Sequence, residues 1–371
     1  MTAVAPIPPV DLAIQHAEIA EEVEQGWAAV LAKTAFVGGP QVAEFERAYA
    51  EFCGASHCVG VANGTDALEL ALRAVGVGPG DECVLPTNSF IATAEAVVRA
   101  GGTPVFVDCD PDSFLIDTKA ATAAITERTK AVLPVHLYGQ VAPVEELRAV
   151  CDEQGVFLIE DAAQSQGARR NGAVSGSLGH LAGTSFYPGK NLGAYGDGGA
   201  VTTSDADLAG KVRLLSQHGS VERYVHSALG FNSRLDTLQA VVLSAKLRRL
   251  TDWNAARNAA ADYYTELLSG VAGVRTPVTL PGNEHVWHLY VVRVAERDRV
   301  VEAVRAQGVG AAIHYPTPIH LAAPFADPAL GKGAFPNAEQ VSGEILSLPI
   351  YPGITRTQQE RVVEVLTGEL A

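Results

Sequence analysis

Cysteine is scarce in this sequence, and its distribution excludes the structures that cysteine usually builds. The 371 residues include five cysteines: Cys53, Cys58, Cys83, Cys109 and Cys151. Their number is odd and no two of them form a Cys-x-x-Cys pair, so neither a disulfide framework nor a zinc site is indicated. We therefore expect reduced and mostly buried thiols, as in a cytoplasmic protein.

Positive charge and long apolar runs are also lacking. The chain has 27 Lys and Arg against 42 Asp and Glu, a net charge of −15, and it contains no extended basic run. We therefore do not expect it to bind nucleic acid through attraction to phosphates. No stretch is long and apolar enough to span a membrane, and residues 1–10 lack the basic start and the uninterrupted apolar core of a signal peptide. The sequence thus predicts a cytoplasmic protein without a membrane contact.

Several familiar ligand-binding motifs are incomplete or absent in this sequence. Residues 183–190 resemble a nucleotide phosphate loop, but Thr184 and Asn191 stand where that loop requires Gly and Ser or Thr. No Gly-x-Gly-x-x-Gly follows the first predicted strand, so a dinucleotide-binding fold is not supported. His314 and His320 are six residues apart, which does not suit the usual spacing of metal ligands. We expect no metal site.

Strands and helices alternate through the first two thirds of the chain. Short apolar segments predict strands at 58–62, 82–85, 104–107, 130–135, 156–159, 182–186 and 199–203. Apolar residues at helical spacing predict helices at 17–33, 42–52, 66–74, 91–100 and 144–154. Such repeated alternation indicates an α/β fold with a largely parallel sheet covered by helices on both faces.

The last third of the chain predicts a second, smaller unit. One long helical stretch is predicted over 235–268, with a break near Trp253, and beyond Gly270 the pattern restarts. There, strands are predicted at 286–294 and 309–314, and helices at 297–307 and 357–370. We interpret this as a large domain at 1–245 and a small C-terminal α/β domain at 246–371.

One lysine and one aspartate give the strongest chemical signal. Lys190 lies in the turn Ser185-Phe-Tyr-Pro-Gly-Lys190, and Asp161 follows the apolar run 156–159. Pyridoxal phosphate (PLP) chemistry needs such a pair, because the amine forms a Schiff base with the cofactor aldehyde and the carboxylate keeps the pyridine nitrogen protonated. Alone, Asp161 could be a helix cap and Lys190 a solvated side chain. Together with the phosphate-binding features below, they favour the PLP interpretation.

A phosphate site is predicted where the first strand meets a helix. Gly64 allows a close approach of the backbone, and the first N–H groups of the helix and the Thr65 hydroxyl can face a phosphate. Alternatively, Thr65 is simply the N-cap of that helix. Ser185, at the end of a predicted strand, can supply another hydrogen bond to the phosphate, or it can be a buried serine bonded to backbone.

Two further side chains are candidates for contacts with the cofactor ring. Phe90 follows a turn at the carboxyl end of a predicted strand, where its ring could stack on the pyridine or belong to the core. Gln164 lies about one helical turn beyond Asp161 and could reach the phenolic oxygen of the cofactor, or be an ordinary polar helix residue.

Taken in order along the chain, these segments resemble the DegT/DnrJ/EryC1/StrS family of sugar aminotransferases. The resemblance extends from about Val10 to the C-terminus. It rests on Asn63-Gly64-Thr65, Asp161-Ala-Ala-Gln164, Ser185-Phe-Tyr-Pro-Gly-Lys190, Gly196-Asp-Gly-Gly199, Phe231-Asn-Ser-Arg-Leu-Asp236-Thr-Leu-Gln-Ala240 and His314-Tyr-Pro-Thr-Pro-Ile-His320. It implies a type I PLP-dependent aminotransferase fold that works as a homodimer with active sites at the shared interface.

The resemblance also implies a role for each matching residue. Lys190 would carry the cofactor, Asp161 would pair with the pyridinium, and Gln164 would contact a ring substituent. The cofactor phosphate would be held by Gly64, Thr65 and Ser185, with Asn232 contributed by the partner subunit.

The resemblance further implies a nucleotide-linked keto-6-deoxysugar as substrate, with L-glutamate as amino donor and 2-oxoglutarate as its product. The run Tyr187-Pro-Gly-Lys190 is similar to the branch that aminates C3, and the expected nucleotide is dTDP. Tyr187, His314 and Tyr315 are candidates for sugar or pyrophosphate contacts, although Tyr315 could equally belong to the core. The alternatives are a 4-keto sugar aminotransferase, an amino-acid-processing PLP enzyme of the same fold, or a non-catalytic regulator that binds PLP.

Overall fold

The computed structural model describes residues 5–370. Residues 1–4 and 371 lie outside the described part, so the N-terminal segment considered above as a signal peptide is described only in part, and the outer ends of both predicted domains are not described. The helices are α1 (Leu12–Ala17), α2 (Ala20–Lys33), α3 (Pro40–Cys53), α4 (Gly64–Ala74), α5 (Ala92–Ala100), α6 (Thr118–Ala123), α7 (Val144–Gln154), α8 (Ala206–Ser216), α9 (Thr237–Leu247), α10 (Leu250–Leu268), α11 (Arg297–Ala306), α12 (Pro336–Glu344) and α13 (Arg356–Gly368).

The strands are mostly short, and short 3₁₀ turns lie among them. They are β1 (His57–Val61), β2 (Glu82–Pro86), β3 (Thr103–Val107), β4 (Thr129–Val132), β5 (Phe157–Asp161), β6 (Arg169–Arg170), β7 (Ala173–Val174), β8 (Leu181–Ser185), β9 (Gly199–Thr203), β10 (Ser220–Glu222), β11 (Val225–His226), β12 (Val274–Arg275), β13 (Asn283–Glu284), β14 (Tyr290–Val294) and β15 (Ile345–Leu348). The 3₁₀ turns are at Leu137–Gly139, Ile319–Leu321, Ala323–Phe325 and Pro328–Leu330.

A seven-stranded sheet confirms the α/β fold and its mostly parallel centre. Its strand order is β1-β9-β8-β5-β4-β2-β3, and β9 alone runs against the other six. The central strands carry apolar side chains toward both faces, where helices bury them. Because parallel strands end at the same edge of a sheet, Asp161 at the end of β5 and Ser185 at the end of β8 reach one edge together.

The long predicted helix is two helices, and its predicted break is wrong. α9 ends at Leu247 and α10 begins at Leu250, so the chain turns at Arg248 and Arg249. Trp253 lies inside α10, where its N–H donates to the carbonyl of Arg249 at 3.0 Å. The indole is buried and donates to Glu18 at 2.9 Å, so its size packs the helix against the N-terminal helices and does not interrupt it.

The C-terminal part contains a three-stranded antiparallel sheet, in the order β12-β14-β15. The strand predicted at 309–314 is wrong, since that segment makes only isolated bridges, from Val309 to Ile7 and from Ala312 to Ser347. Gly310 donates its N–H to the carbonyl of Ile7 at 2.7 Å. The segment therefore pairs with Ile7 near its start and with Ser347 further along, and it runs alongside neither of them as a strand. The strand predicted from 286 begins only at Tyr290.

The beginning of the described chain packs against the C-terminal part. Ile7 donates to the carbonyl of Gly308 at 2.8 Å, and Ile350 donates to the carbonyl of Pro9 at 3.3 Å. Residues 7–10 therefore contact a region more than 290 positions further along the chain. The domain boundary at 245/246 stays a prediction.

Candidate active site

A cavity of about 740 Å³ opens between the carboxyl edge of the large sheet and the C-terminal part. We call its two sides the N-terminal wall and the C-terminal wall. The N-terminal wall includes Asn63, Gly64, Thr65, Phe90, Thr93, Asp161, Gln164, Ser185, Tyr187 and Lys190. The C-terminal wall consists of Arg257, His288, Leu289, Ala312, His314, Tyr315 and Ile350. Every site residue predicted from the sequence lies on one of these walls except Asn232.

Lys190 and Asp161 face this same cavity, although 29 positions separate them in the sequence. The main chain of Lys190 donates to the carbonyl of Tyr187 at 2.8 Å, which fixes the turn that carries the amine. Burial lowers the pKa of Lys190 to about 8, and the charge of Asp161 partly opposes that shift. Within residues 5–370 the Lys190 Nζ has no hydrogen-bond partner, so the amine is free to react.

Asp161 is buried and is held by two donors. The Thr93 hydroxyl donates to Oδ2 at 2.7 Å and the main chain of Ala163 donates to Oδ1 at 3.2 Å. Burial raises the pKa of Asp161, while the bonds from Thr93 and Ala163 and the positive charge of Lys190 act in the opposite direction. Thr93 was not predicted from the sequence; its place on the first turn of α5 could have suggested it.

The first turn of α4 forms an anion-binding corner beside Ser185. Asn63 is the N-cap of this helix, since its side chain accepts from the Asp66 N–H at 2.8 Å, so the interpretation of Thr65 as the cap is wrong. A Cβ added to Gly64 would lie 2.6 Å from the Ser185 Cβ. Only glycine permits this approach, which brings the Ser185 hydroxyl next to N–H groups that the helix leaves without partners.

Gln164 connects the two walls. Its Oε1 accepts from the main chain of Tyr138 at 2.7 Å, and its Nε2 donates to the hydroxyl of Tyr315 at 3.0 Å. Both ends of the amide are thus fixed, and Gln164 lies buried in a turn, so the alternative that it is an ordinary polar helix residue is wrong. Tyr315 also approaches Phe90, with ring centroids 5.3 Å apart and an interplanar angle of 40°.

Phe90, Tyr187 and Asn232 differ in how they relate to the cavity. Phe90 is 52% exposed and Tyr187 is 60% exposed, so both rings stand at the mouth of the cavity and neither belongs to the core. Asn232 is exposed outside the cavity, where its Oδ1 accepts from Arg234 at 2.8 Å. Its predicted contact with the cofactor of a partner subunit stays a prediction.

Two histidines of the C-terminal wall are kept neutral. Burial and the nearby Lys190 lower the pKa of His314 to about 4, and its Nδ1 lies 2.8 Å from the Ser347 hydroxyl. Burial and the charges of Lys190 and Arg257 hold the pKa of His288 well below its usual range. The amide of Asn191 donates through Nδ2 elsewhere, so its Oδ1, 3.2 Å from the ring, accepts from His288 Nδ1.

His288 and Arg257 were not predicted from the sequence. His288 precedes β14 in a segment that was predicted as strand, and Arg257 lies among alanines and asparagines in the middle of α10. Neither residue has a local motif around it, and they meet only because α10 packs beside residues 287–288. No sequence signal distinguishes them from surface residues.

The walls fit PLP. The corner at Gly64 and Ser185 suits its phosphate, the buried carboxylate of Asp161 suits a protonated ring nitrogen, and the free amine of Lys190 suits its aldehyde. Within the described residues, no group of three or more His, Cys, Asp or Glu side chains could hold a metal ion. Over the same part of the chain, no helix has the length and apolar character needed to cross a membrane.

A family model matches most of the chain. The model of the DegT/DnrJ/EryC1/StrS aminotransferase family matches residues 17–367. Among curated proteins, the erythromycin biosynthesis sensory transduction protein EryC1 of Saccharopolyspora erythraea is 46% identical over 97% of this chain and 98% of its own length.

A curated transaminase and a solved structure, both from Streptomyces venezuelae, are also similar to this chain. The dTDP-3-amino-3,4,6-trideoxy-alpha-D-glucose transaminase of Streptomyces venezuelae is 43% identical over 97% of this chain and 95% of its own length. Among solved structures, S. venezuelae DesV in complex with a ketimine intermediate superposes with a TM-score of 0.96 at 43% identity, over 98% of both chains. These likenesses confirm the type I aminotransferase fold.

Proposed function

The chain belongs to the DegT/DnrJ/EryC1/StrS aminotransferase family and is a PLP-dependent aminotransferase, and from this premise we propose its reaction. It transfers the amino group of L-glutamate to the C3 keto group of a dTDP-linked 3-keto-6-deoxyhexose. The observation that carries this proposal is the meeting of Lys190 and Asp161 in one cavity. The choice of C3 and of dTDP is supported by the similarity to the S. venezuelae transaminase.

Lys190 moves the proton in both halves of the reaction. Bound PLP supplies an electron sink for the negative charge that develops when the donor carbon loses its proton. With its pKa lowered to about 8, about a tenth of Lys190 Nζ is neutral at pH 7 and can take that proton from Cα of the donor. In the second half the same Nζ returns a proton to C3 of the sugar.

The Asp161 carboxylate keeps the pyridine nitrogen of bound PLP protonated. This carboxylate is oriented by the Thr93 hydroxyl and by the Ala163 N–H, so both oxygens are fixed before the cofactor arrives. The Thr93 hydroxyl lies 2.7 Å from the Ser89 hydroxyl as well. Because Thr93 gives its own proton to Asp161, Ser89 donates to Thr93 and completes a chain of donors that favours the charged carboxylate.

The remaining predicted residues divide between phosphate and substrate. Gly64, Thr65 and Ser185 hold the cofactor phosphate, and Gln164 fixes the ring substituent. Tyr187 on the N-terminal wall and His314 and Tyr315 on the C-terminal wall contact the sugar or its pyrophosphate. We propose a homodimer in which Asn232 of each chain reaches the phosphate in the other, because Asn232 is exposed outside the cavity of its own chain.

A substrate panel tests the proposed reaction. The holoenzyme is incubated with glutamate and, separately, with dTDP-linked and UDP-linked sugars that carry a keto group at C3 or at C4. We expect the dTDP-linked 3-keto sugar to be converted fastest, with nitrogen on C3 of the product by NMR. A product aminated at C4 would show that the protein is a 4-aminotransferase. Fastest conversion of a UDP-linked sugar would show that the nucleotide of the substrate is UDP and not dTDP.

The name of the S. erythraea relative favours one second candidate, a regulatory protein that binds PLP without transamination. Such a protein would bind PLP and show no change in its visible spectrum when glutamate is added. The intact pair of Lys190 and Asp161 argues for catalysis, since a protein that only binds PLP has no need of a buried carboxylate that keeps the pyridine nitrogen protonated and makes the ring an electron sink. Bleaching of the bound cofactor by glutamate would exclude the purely regulatory function.

A further inference from the structure

A buried histidine and a buried glutamate form a pair next to Asp161. His136 and Glu160 are both 0% exposed, and the His136 Nε2 lies 2.8 Å from the Glu160 Oε2. Glu160 directly precedes Asp161 on β5, and successive side chains of a strand point to opposite faces. Its carboxylate therefore points away from the cavity, and neither member of the pair lines that cavity. The proposed reaction uses neither of them.

The hydrogen bonds of this pair fix its protons. The main chain of Ala142 donates to the His136 Nδ1 at 3.1 Å, so Nδ1 carries the lone pair, the ring is neutral, and Nε2 donates to Glu160. The carboxylate also accepts from three main-chain N–H groups before β8, those of Gly176, Leu178 and Gly179, at 2.9, 2.8 and 2.7 Å. Burial alone would raise the pKa of Glu160, but the bonds from His136 and from the main chain outweigh burial and lower it. The carboxylate therefore stays charged and keeps a strong hold on the imidazole.

Two main-chain hydrogen bonds connect the segment around His136 to Asp161. The main chain of His136 donates to the carbonyl of Asp161 at 3.0 Å, and the main chain of Asp161 donates to the carbonyl of Pro134 at 2.9 Å. They form an isolated bridge, because β4 has already ended at residue 132 and residues 133–138 contain no further strand. The imidazole of His136 therefore supplies an anchor that a longer strand ladder would otherwise provide.

The same segment holds the side chain of Gln164. Two residues beyond His136, the main chain of Tyr138 donates to the Gln164 Oε1 at 2.7 Å. The φ angle of Tyr138 is 60°, a left-handed conformation that is costly for a bulky residue and persists only where the surroundings hold it. The anchored imidazole fixes the chain two residues before this point. Residues 134–138 thus contact both groups assigned to the cofactor ring, the main chain of Asp161 and the amide of Gln164.

We propose that His136, anchored by Glu160, is a positioning residue that holds residues 134–138 against β5 and so fixes where Asp161 and Gln164 meet the cofactor ring. The proposal requires PLP as the cofactor and is independent of the sugar and of the amino donor. A displaced Asp161 would bind the protonated ring nitrogen less well, since such hydrogen bonds depend steeply on distance and angle. The alternative is that the pair stabilises the fold alone, as any buried hydrogen-bonded pair does.

The test compares PLP with an analogue in which a C–H group replaces the ring nitrogen. The dissociation constant of each is measured with cofactor-free protein by calorimetry, and their ratio gives the preference for PLP. Only PLP can form the bond to Asp161, so wild type should prefer PLP by about 10- to 150-fold, as expected for one charge-assisted hydrogen bond. A substitution that disturbs the fold alone changes both dissociation constants alike and leaves their ratio unchanged.

The expected effect is a partial loss of this preference. In His136→Leu it should fall about 2- to 10-fold, the effect of weakening one hydrogen bond, because Asp161 is displaced and not removed. His136→Gln keeps an amide N–H that can donate to Glu160, so its preference should stay near that of wild type. If His136→Leu does not fold, His136→Asn replaces it. The shorter amide can still accept from Ala142 but no longer reaches Glu160, so the same fall is expected.

The matched control is His180→Leu. His180 has the same pattern of contacts near the start of β5, since its Nδ1 accepts from the main chain of Leu158 at 2.9 Å and its Nε2 lies 3.2 Å from the Asp152 Oδ1. It does not line the cavity. Its variant shows what the loss of a histidine–carboxylate pair does to the fold alone, so the preference for PLP should stay within about twofold of wild type. Thermal melting shows whether each variant is folded.

Two results would overturn the proposal. One is an unchanged preference for PLP in a folded His136→Leu or His136→Asn protein, which would show that the pair stabilises the fold alone. The other is an equal fall in His136→Leu and His180→Leu, which would show that the effect is not specific to the segment beside Asp161. Failure of the proposed sugar reaction is a separate outcome, because neither a sugar nor glutamate is present in these titrations.

Discussion

The two walls of the cavity use different physical means to hold a ligand. The N-terminal wall relies on the start of α4, on short hydroxyl side chains and on one buried carboxylate, all placed where strands end. The C-terminal wall relies on long basic or aromatic side chains that are held by backbone carbonyls and by each other. The N-terminal wall therefore presents its ligand-binding groups at fixed positions. The C-terminal wall acts through charged side chains and through side chains that burial keeps neutral.

The difference teaches where each kind of mutation should act. Changes on the N-terminal wall alter distances that the backbone has fixed or the charge beside Lys190, so they should affect cofactor binding, the proton transfer and the pKa of Lys190. Changes on the C-terminal wall should affect cofactor binding only where that wall supports Gln164, through Tyr315. Four experiments sharpen or break this division.

The largest effect is expected from removing the amine. Lys190→Ala should slow the glutamate half-reaction roughly 1,000-fold or more, since a positioned general acid–base group contributes about 10²–10⁴-fold. The rate is measured by stopped-flow absorbance after adding glutamate to the loaded protein. Lys246→Met is the control, because Lys246 is also buried and its pKa is also lowered to about 8, but it lies outside the cavity. A comparable loss of rate in both variants would contradict the role of Lys190 as the group that transfers the proton.

The pH dependence of cofactor capture should show the next largest effect. Because the neutral amine is the nucleophile, the rate at which cofactor-free protein captures PLP should rise with pH, with a midpoint near the pKa of Lys190, about 8. Relative to a lysine of pKa 10.5, this provides about 300 times more neutral amine at pH 7. Asp161→Asn should move the midpoint to lower pH, because Asp161 stabilises the charged amine. A wild-type midpoint near 10.5 would contradict the burial of the amine.

A smaller effect is expected from filling the phosphate corner. Gly64→Ala places a Cβ 2.6 Å from the Ser185 Cβ, so Ser185 or the start of α4 must move away from the phosphate. Losing one hydrogen bond to the charged phosphate costs about 1.5–3 kcal/mol, so the dissociation constant of PLP, followed by absorbance titration, should rise about 10- to 150-fold. Gly210→Ala is the control, since a Cβ there meets nothing within 4 Å. Unchanged PLP affinity in Gly64→Ala would show that the phosphate binds elsewhere.

The smallest effect is expected where the walls meet. Tyr315→Phe removes the hydroxyl that accepts from Gln164, a hydrogen bond worth about 0.5–1.5 kcal/mol. PLP affinity should fall about twofold to tenfold, because Gln164 loses one of its two anchors. Tyr195→Phe removes a comparable hydroxyl, bonded to His16 at 2.6 Å outside the cavity, and should have no effect on PLP. A much larger loss of PLP affinity in Tyr315→Phe would mean that the two walls hold the cofactor together and not independently.

The same contrast explains what could be predicted from sequence. Asp161, Gly64 and Ser185 occupy the ends of short apolar runs or the start of a helix, so local pattern and chemistry together identify them. Arg257 and His288 acquire their surroundings only through packing of α10 against residues 287–288, which no local pattern records. The wrong strand at 309–314 has a related cause, since its neighbours are Ile7 and Ser347, both distant in sequence.

The crossing of residues 7–10 to the far end of the chain has a consequence for how the protein is made on the ribosome. The large sheet can assemble while later residues are still being added, because its last strand, β9, ends at Thr203. Residues 7–10, by contrast, must wait for Val309 and Ile350 before they find their partners. Pro9, Val10 and Ile350 all border the cavity, so a functional pocket is a late product of translation and a prematurely ended chain would lack it.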